Sequence, residues 1–333
     1  MKKASVLGGG AWGTALAKVL AEKLPEVSLW ARRHELVDDI NAKHMNDRYL
    51  PGVTLPANLY AEADLEKSVR GADLVLFVVP SHATREVARE VKDCIGKDAI
   101  LVSATKGIEN DSLMFIDEIL RQELDIPEER LALLSGPSFA KELGLNQPTA
   151  VVIASKSATL RRKVMSIFHT PYLRLYESDD VIGVECGGAL KNVIAIATGT
   201  IDGLQLGSNT RAALITRGLA EIARLSLVRG GSALTLAGLT GMGDLVLTCT
   251  GDLSRNRTVG IELGKGRKIG EIVDSLGHVA EGVKTAKSAY DLSIKLGVDM
   301  PITREVYRVL YEDKTPQDAL RDLMARELGP EFT

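Results

Sequence analysis

The chain has 333 residues, 45% hydrophobic and 26% charged, with 41 Lys and Arg against 44 Asp and Glu for a net charge of -3. At about 100–200 residues per domain this length favours two domains over a single small binding module, and the near-balanced charge argues against nucleic acid as a partner. Three cysteines, at 94, 186 and 249, are too few and too scattered for a disulfide framework or a zinc knuckle.

From the N-terminus, short β-branched and apolar runs alternate with charged segments of helical period, the pattern of βαβ units and a parallel sheet. The apolar run after Met1-Lys2-Lys3 is too short for a signal peptide, and no uncharged run reaches the ~18 residues of a membrane span. The expectation is a protein of the reducing cytoplasm with no membrane insertion. Strands are predicted at 4–7, 27–30, 74–79, 99–102, 131–134 and 150–153, with helices at 14–24, 35–43, 82–93 and 114–123 between them. Near residue 180 the strand runs stop. Segments 184–206, 210–228, 259–263, 269–276, 284–296 and 316–326 then read as helices. The expected fold class is α/β: a Rossmann-type, mostly parallel sheet domain over 1–180 that binds a dinucleotide, followed by an all-helical substrate and catalytic domain over 181–333. Apolar helices in the second part suggest a homodimer.

The first predicted strand runs into Gly8-Gly9-Gly10-Ala11-Trp12-Gly13 and a helix. Gly8, Gly10 and Gly13 have the spacing of a dinucleotide fingerprint, in which glycine permits a tight turn, close approach of backbone to pyrophosphate and close helix–sheet packing. A ligand-free glycine-rich turn would look the same. Trp12 is either an ordinary packed aromatic or a wall over the cofactor. An acid that binds ribose hydroxyls is expected after the second strand. There the chain instead reads Ala31-Arg32-Arg33-His34, and two guanidiniums suit a 2′-phosphate, which favours NADPH over NADH. The alternative is a pair of solvated arginines at a helix start.

Ser103-Ala104-Thr105-Lys106-Gly107 and Ser135-Gly136-Pro137-Ser138-Phe139-Ala140 follow predicted strands, so both sit at the carboxyl edge where open α/β sheets bind ligands. Lys106 is either a cleft residue or a solvated loop lysine. Ser138 either caps a short helix or belongs to a turn that presents amides to a substrate. In Glu185-Cys186-Gly187-Gly188-Ala189-Leu190-Lys191-Asn192 the helical neighbours of Lys191 are small or apolar. Interior helix glycines cost about 1 kcal/mol each, so Gly187 and Gly188 imply that something approaches the helix closely, and close helix packing alone would account for them. Dry surroundings disfavour an ammonium and would move Lys191 into proton-transfer range; an ordinary helix lysine is the plainer reading. Asp244, after Thr240-Gly241-Met242-Gly243, caps a helix, orients a lysine, or both. Asp252-Leu253-Ser254-Arg255-Asn256-Arg257-Thr258 is non-periodic and has the composition of a phosphate site or of a solvated basic loop. Lys265, Arg267 and Lys268 read as solvated surface, and the isolated histidines suggest no metal site.

These motifs together resemble the bacterial NAD(P)-dependent glycerol-3-phosphate dehydrogenases. The resemblance rests on Gly8-Gly9-Gly10-Ala11-Trp12-Gly13-Thr14-Ala15-Leu16-Ala17, Ala104-Thr105-Lys106-Gly107, Ser135-Gly136-Pro137-Ser138-Phe139-Ala140, Lys191-Asn192-Val193-Ile194-Ala195-Ile196-Ala197 and Ser254-Arg255-Asn256-Arg257, in the family's order across residues 8 to 257. It implies reversible reduction of dihydroxyacetone phosphate to sn-glycerol 3-phosphate, a supply of backbone for phospholipid synthesis, and Lys191 as proton donor or acceptor. It further implies substrate contacts by Lys106, Gly136, Ser138, Lys191, Asp244, Ser254, Arg255 and Asn256. Cofactor contacts are implied for Gly8, Gly10, Ala11, Trp12, Gly13, Arg32, Arg33, Lys106, Ala140, Arg255, Val279 and Glu281. Rival readings are a β-hydroxyacid or phosphogluconate dehydrogenase, which shares the plan and a lysine before asparagine, and a nucleotide-sensing protein without turnover.

Overall fold

The computed structural model describes residues 1–276 and 280–331. Its strands are β1 (Lys3–Leu7), β2 (Glu26–Trp30), β3 (Met45–Asn46), β4 (Leu50–Thr54), β5 (Leu59–Glu62), β6 (Leu74–Phe77), β7 (Ile100–Ser103), β8 (Leu131–Ser135), β9 (Thr149–Ala154) and β10 (Leu173–Ser178). Among them run helices α1 (Ala11–Ala21), α2 (His34–Lys43), α3 (Leu65–Val69), α4 (Thr84–Val91), α5 (Ile116–Leu124), α6 (Ala140–Gly144) and α7 (Ala158–Phe168). After β10 the described chain is helical: α8 (Val181–Gly203), α9 (Ser208–Val228), α10 (Ala233–Leu236), α11 (Asp244–Thr250), α12 (Arg255–Gly264), α13 (Ile269–Leu276), α14 (Glu281–Leu296), α15 (Pro301–Tyr311) and α16 (Pro316–Met324).

The main sheet has the order β10-β9-β8-β7-β6-β1-β2-β5, with every neighbouring pair parallel except β8–β9. Side chains of α1, α2, α6 and α7 pack on one face and those of α3, α4 and α5 on the other. With both faces covered, β6, β7 and β8 are buried at every position, so they read as continuous apolar runs rather than alternating ones. The carboxyl ends of β1, β2, β6, β7 and β8 share one edge, and the helical part meets the sheet there.

Several elements carry weak sequence signals. β4 contains Pro51 and Gly52, which argue against a strand, and it pairs only with the two residues of β3 in a separate antiparallel ribbon. β5 and β10 are edge strands whose charged or aromatic outer positions hide the pattern. Helix α12 starts four residues before the predicted 259 because Ser254 caps it.

Helix α8 is the axis of the helical part and contributes Cys186, Val193, Ile194, Ala195 and Ile196 to its core. It is long and apolar enough to cross a membrane by length and composition, yet 83% of that stretch is buried inside the protein. Glycines spaced by four bring α8 and α12 into backbone contact. A Cβ on Gly199 or Gly203 would fall 2.1 Å from Arg257 O or 2.2 Å from Ile261 O; one on Gly260 or Gly264 would meet Ile196 O at 2.1 Å or Thr200 O at 2.2 Å. All four are therefore confined to glycine despite the helix-propensity cost of about 1 kcal/mol each.

Candidate active site

The glycine turn divides its work between packing and open space. Gly8 lies at φ +131°, and a Cβ there would sit 2.6 Å from Val78 O; a Cβ on Gly13 would sit 1.9 Å from Gly8 O. These two glycines let strand, turn and helix close on one another. At Gly10 a Cβ would meet nothing within 4 Å among the described residues. Gly10 occupies the N-cap position of α1, no side chain caps that end, and no acid stands in its first turn. The free amides and the positive end of the helix dipole therefore face space that fits an anion, and these residues suit a dinucleotide pyrophosphate. Ala11 and Trp12 open α1 half-buried; Trp12 packs against the core on this face of the sheet, as does Ala140 at the start of α6.

The two arginines after β2 are both exposed but part company. Arg33 takes the N-cap position of α2 and lines a polar groove with Glu35, Asp39, Lys43, Asp47 and Arg48. Arg32 lies close enough to His82 for its charge, after burial and the charge of Lys284, to help hold that imidazole below its ordinary pKa.

Two lysines from different parts of the chain meet on one carboxylate. Lys191, 9% exposed on α8, donates to Asp244 Oδ1 at 2.5 Å and to Thr248 Oγ1 at 2.8 Å. Lys106, after β7, donates to Asp244 Oδ2 at 2.6 Å and to Gly136 O at 3.3 Å. The Thr248 hydroxyl spends its own proton on Asp244 O at 2.6 Å, so its lone pair is fixed toward Lys191. Burial lowers the pKa of Lys191 to about 8; Lys106 pushes the same way and Asp244 opposes them. Two ammonium groups on one carboxylate leave a net positive centre, which suits an anionic substrate and an oxygen that gains negative charge.

Gly187 and Gly188 serve close packing by the protein itself. A Cβ on Gly187 would lie 2.3 Å from Thr240 O in the Leu239–Gly243 turn, and one on Gly188 would lie 2.8 Å from Ser135 Oγ and 3.5 Å from the Lys106 stem. The glycines let β8 and Lys106 reach the Lys191 turn of α8.

Two expected caps are absent. Asp244 is the first residue of α11, with Gly243 at the N-cap position, because both its oxygens are held by lysines and the preceding turn is already helical. Ser138 does not cap α6, whose N-cap position is Phe139; its hydroxyl donates to Gly136 O at 2.9 Å. Ser138 therefore shapes the turn at Gly136, where φ is +140° and a Cβ would crowd Val151 Cα at 3.0 Å.

The segment after Asp252 is a capped helix start. Ser254 Oγ accepts from Arg257 N at 3.2 Å. Arg257 is committed internally, to Asp202 Oδ2 at 2.9 Å and Asp252 Oδ1 at 3.0 Å. Arg255 is exposed and pairs with no carboxylate among the described residues. Asn256 ties three helices together: Nδ2 donates to Asn192 Oδ1 at 3.0 Å on α8, and Oδ1 accepts from Gly282 N at 2.9 Å on α14. The neighbouring Glu281 accepts from Ser81 Oγ at 2.9 Å and is pushed up in pKa, chiefly by burial. Val279 lies outside the described residues. The structure thus gathers Lys106, Gly136, Ser138, Lys191 and Asp244 around one point and sets Ser254, Arg255 and Asn256 beside it. Asn192 and Thr248 belong to this network without having been singled out from sequence. Their available signals were adjacency to Lys191 and a spacing of four from Asp244.

Family comparison agrees in both halves. The model for the NAD-dependent glycerol-3-phosphate dehydrogenase N-terminus matches residues 3–161, and that for the C-terminus matches 180–321. A glycerol-3-phosphate dehydrogenase [NAD(P)+] from Citrifermentans bemidjiense is 52% identical over 332 residues, 99% of each chain. The crystal structure of glycerol-3-phosphate dehydrogenase from Coxiella burnetii is 43% identical and superposes with a TM-score of 0.93 over 98% of this chain and 99% of that one. The glycerol-3-phosphate dehydrogenase of Saccharomyces cerevisiae is 29% identical, with a TM-score of 0.83 over 98% and 99% of the two chains.

Proposed function

The chain belongs to the NAD-dependent glycerol-3-phosphate dehydrogenase family, and on that premise we propose that it reduces dihydroxyacetone phosphate reversibly to sn-glycerol 3-phosphate, with Lys191 moving the proton. The observation that carries the proton role is the buried Lys191–Asp244–Lys106 centre at the ligand edge of the sheet. The Gly8–Gly13 turn would hold a nicotinamide dinucleotide, which when bound would supply the hydride for reduction. As negative charge gathers on the carbonyl oxygen, Lys191 Nζ gives it a proton, and in the reverse direction the neutral amine takes one from the hydroxyl. A pKa near 8 makes either state cheap to reach close to neutral pH. Lys106 adds positive field, and Asp244 with Thr248 holds the Lys191 amine in place.

On this reading Arg255 binds the substrate phosphate, with Ser254 and Asn256 setting the start of α12, and the turn at Gly136 and Ser138 borders the reacting carbons. Gly10, Ala11, Trp12, Ala140 and Glu281 border the cofactor. Arg32 takes the 2′-phosphate of NADPH, with Arg33 in a supporting place beside α2, so NADPH is the favoured cofactor. The working boundary between nucleotide and catalytic domains is residue 180, supported by the end of β10 at Ser178. Exposed Leu227, Val228 and Leu234 near the end of α9 support a homodimer, and the cytoplasm is the expected compartment. The test of the reaction is steady-state reduction of dihydroxyacetone phosphate with NADPH and NADH in turn. Turnover should require the phosphorylated ketone; no turnover with either cofactor, or equal turnover of an unphosphorylated hydroxyketone, would refute the assignment.

A further inference from the structure

The helical domain brings a cation to the dinucleotide turn that the scheme above does not use. In the order β6-β1-β2, the Gly8–Gly13 turn after β1 lies between Ser81 and His82, which follow β6, and Arg32, which follows β2. Helix α14 is docked at this edge by its first turn: Glu281 accepts from Ser81 Oγ at 2.9 Å and Gly282 N donates to Asn256. Gly107 closes the same contact from the β7 side, since a Cβ there would lie 2.7 Å from Ser81 Cβ and 3.8 Å from Glu281 Oε2. Lys284 stands three residues after Glu281, on the same face of α14 one turn along.

Its charge is felt from two sides. Lys284 and Arg32 both depress the His82 pKa after burial has done so, and Lys284 with Arg255 offsets part of the rise that burial imposes on Glu281. Lys284 is half-buried, yet no carboxylate pairs with it among the described residues, whereas Lys287 on the next turn is bound to Asp291 at 2.6 Å. Lys284 and Arg32 therefore bring two cationic side chains to His82 at the edge that carries the phosphate turn, and their combined positive field favours an anion seated among them.

We propose that Lys284 is a binding residue for the cofactor's pyrophosphate, supplied by the helical domain and completing the site begun at the N-terminus of α1. The inference rests on the reading of the Gly8–Gly13 turn as the pyrophosphate site. The ligand is the diphosphate bridge that NADH and NADPH share, so Lys284 serves both cofactors alike, while Arg32 serves only the 2′-phosphate.

Calorimetric binding of ADP-ribose, NADH and NADPH to the whole enzyme tests this with Lys284→Gln, Lys284→Arg, Lys287→Gln and Arg32→Ala. Lys284→Gln should raise all three Kd values by a common factor of about fivefold. Lys284→Arg should restore most of the affinity, Lys287→Gln should change nothing, and Arg32→Ala should weaken NADPH alone. Unchanged ADP-ribose binding in Lys284→Gln, or a loss confined to NADPH, would overturn the assignment. Should the unaltered enzyme fail to bind ADP-ribose, the dinucleotide site itself would fall and the role of Lys284 with it. Equal unfolding temperatures of Lys284→Gln and the unaltered enzyme would exclude damage to α14 as the cause of a weaker Kd.

Discussion

At the centre of the site Lys191 and Lys106 share the two oxygens of one buried carboxylate, whereas at its rim Arg255, Arg32 and Lys284 stand exposed or half-buried with no bound acid among the described residues. The difference follows from solvent. A buried ammonium without a partner costs several kcal/mol, so the central lysines need Asp244 before any ligand arrives. Rim cations remain hydrated and need no such partner. Changes at the centre should therefore alter turnover and its pH dependence, and changes at the rim should alter binding.

The largest effect is expected for Lys191→Ala, which removes the proposed proton donor: kcat should fall by about 10²–10⁴ while cofactor Kd stays near normal. Retained turnover would erase the distinction between centre and rim. Asp244→Asn comes next. It leaves two ammonium groups together without their counter-charge, and since Asp244 raises the Lys191 pKa, its loss should move the pH midpoint of reduction toward acid as well as lower kcat by about 10². At the rim, Arg255→Ala should raise KM for dihydroxyacetone phosphate about tenfold, the scale of one lost charged hydrogen bond, with kcat within a few-fold. Steady-state titration of each substrate separates that outcome from a kcat defect. The smallest effect should be that of Arg32→Ala, about fivefold in KM for NADPH and none for NADH. Equal losses for both cofactors would place Arg32 on a shared part of the dinucleotide instead.

Much of this arrangement was legible in the chain because its chemistry restricts residue type locally. The turn from Gly8 to Gly13 needs glycine at two positions for backbone clearance and leaves open space at a third, Gly10, and the clearance shows as spacing. Lys191 stands out through the glycines beneath it, and the close approach they imply is made by Thr240 and Ser135. What stayed hidden depends on residues far apart in sequence. Asn192 gains its place only when Asn256 and Gly282 arrive from α12 and α14. The capping roles imagined for Asp244 and Ser138 fail because distant partners, two lysines and the Gly136 carbonyl, claim those side chains first. Arg32 and Arg33 look equivalent in sequence and separate only once Arg33 takes the N-cap position of α2 and lines the groove at Arg48. Edge strands β5 and β10 were missed because each pairs on one side only, so solvent relaxes their outward composition.

The central claim, that the buried Lys191 amine carries the proton, is tested most directly by the pH dependence of kcat/KM for the three-carbon substrate, which reports the group before that substrate binds. On this account reduction needs the charged amine, so kcat/KM should be level at low pH and fall with unit slope through a midpoint of about 8; kcat/KM for oxidation of sn-glycerol 3-phosphate should rise through the same midpoint. A reduction profile flat from about pH 6 to about pH 10, or a midpoint that Asp244→Asn leaves where it was, would contradict it.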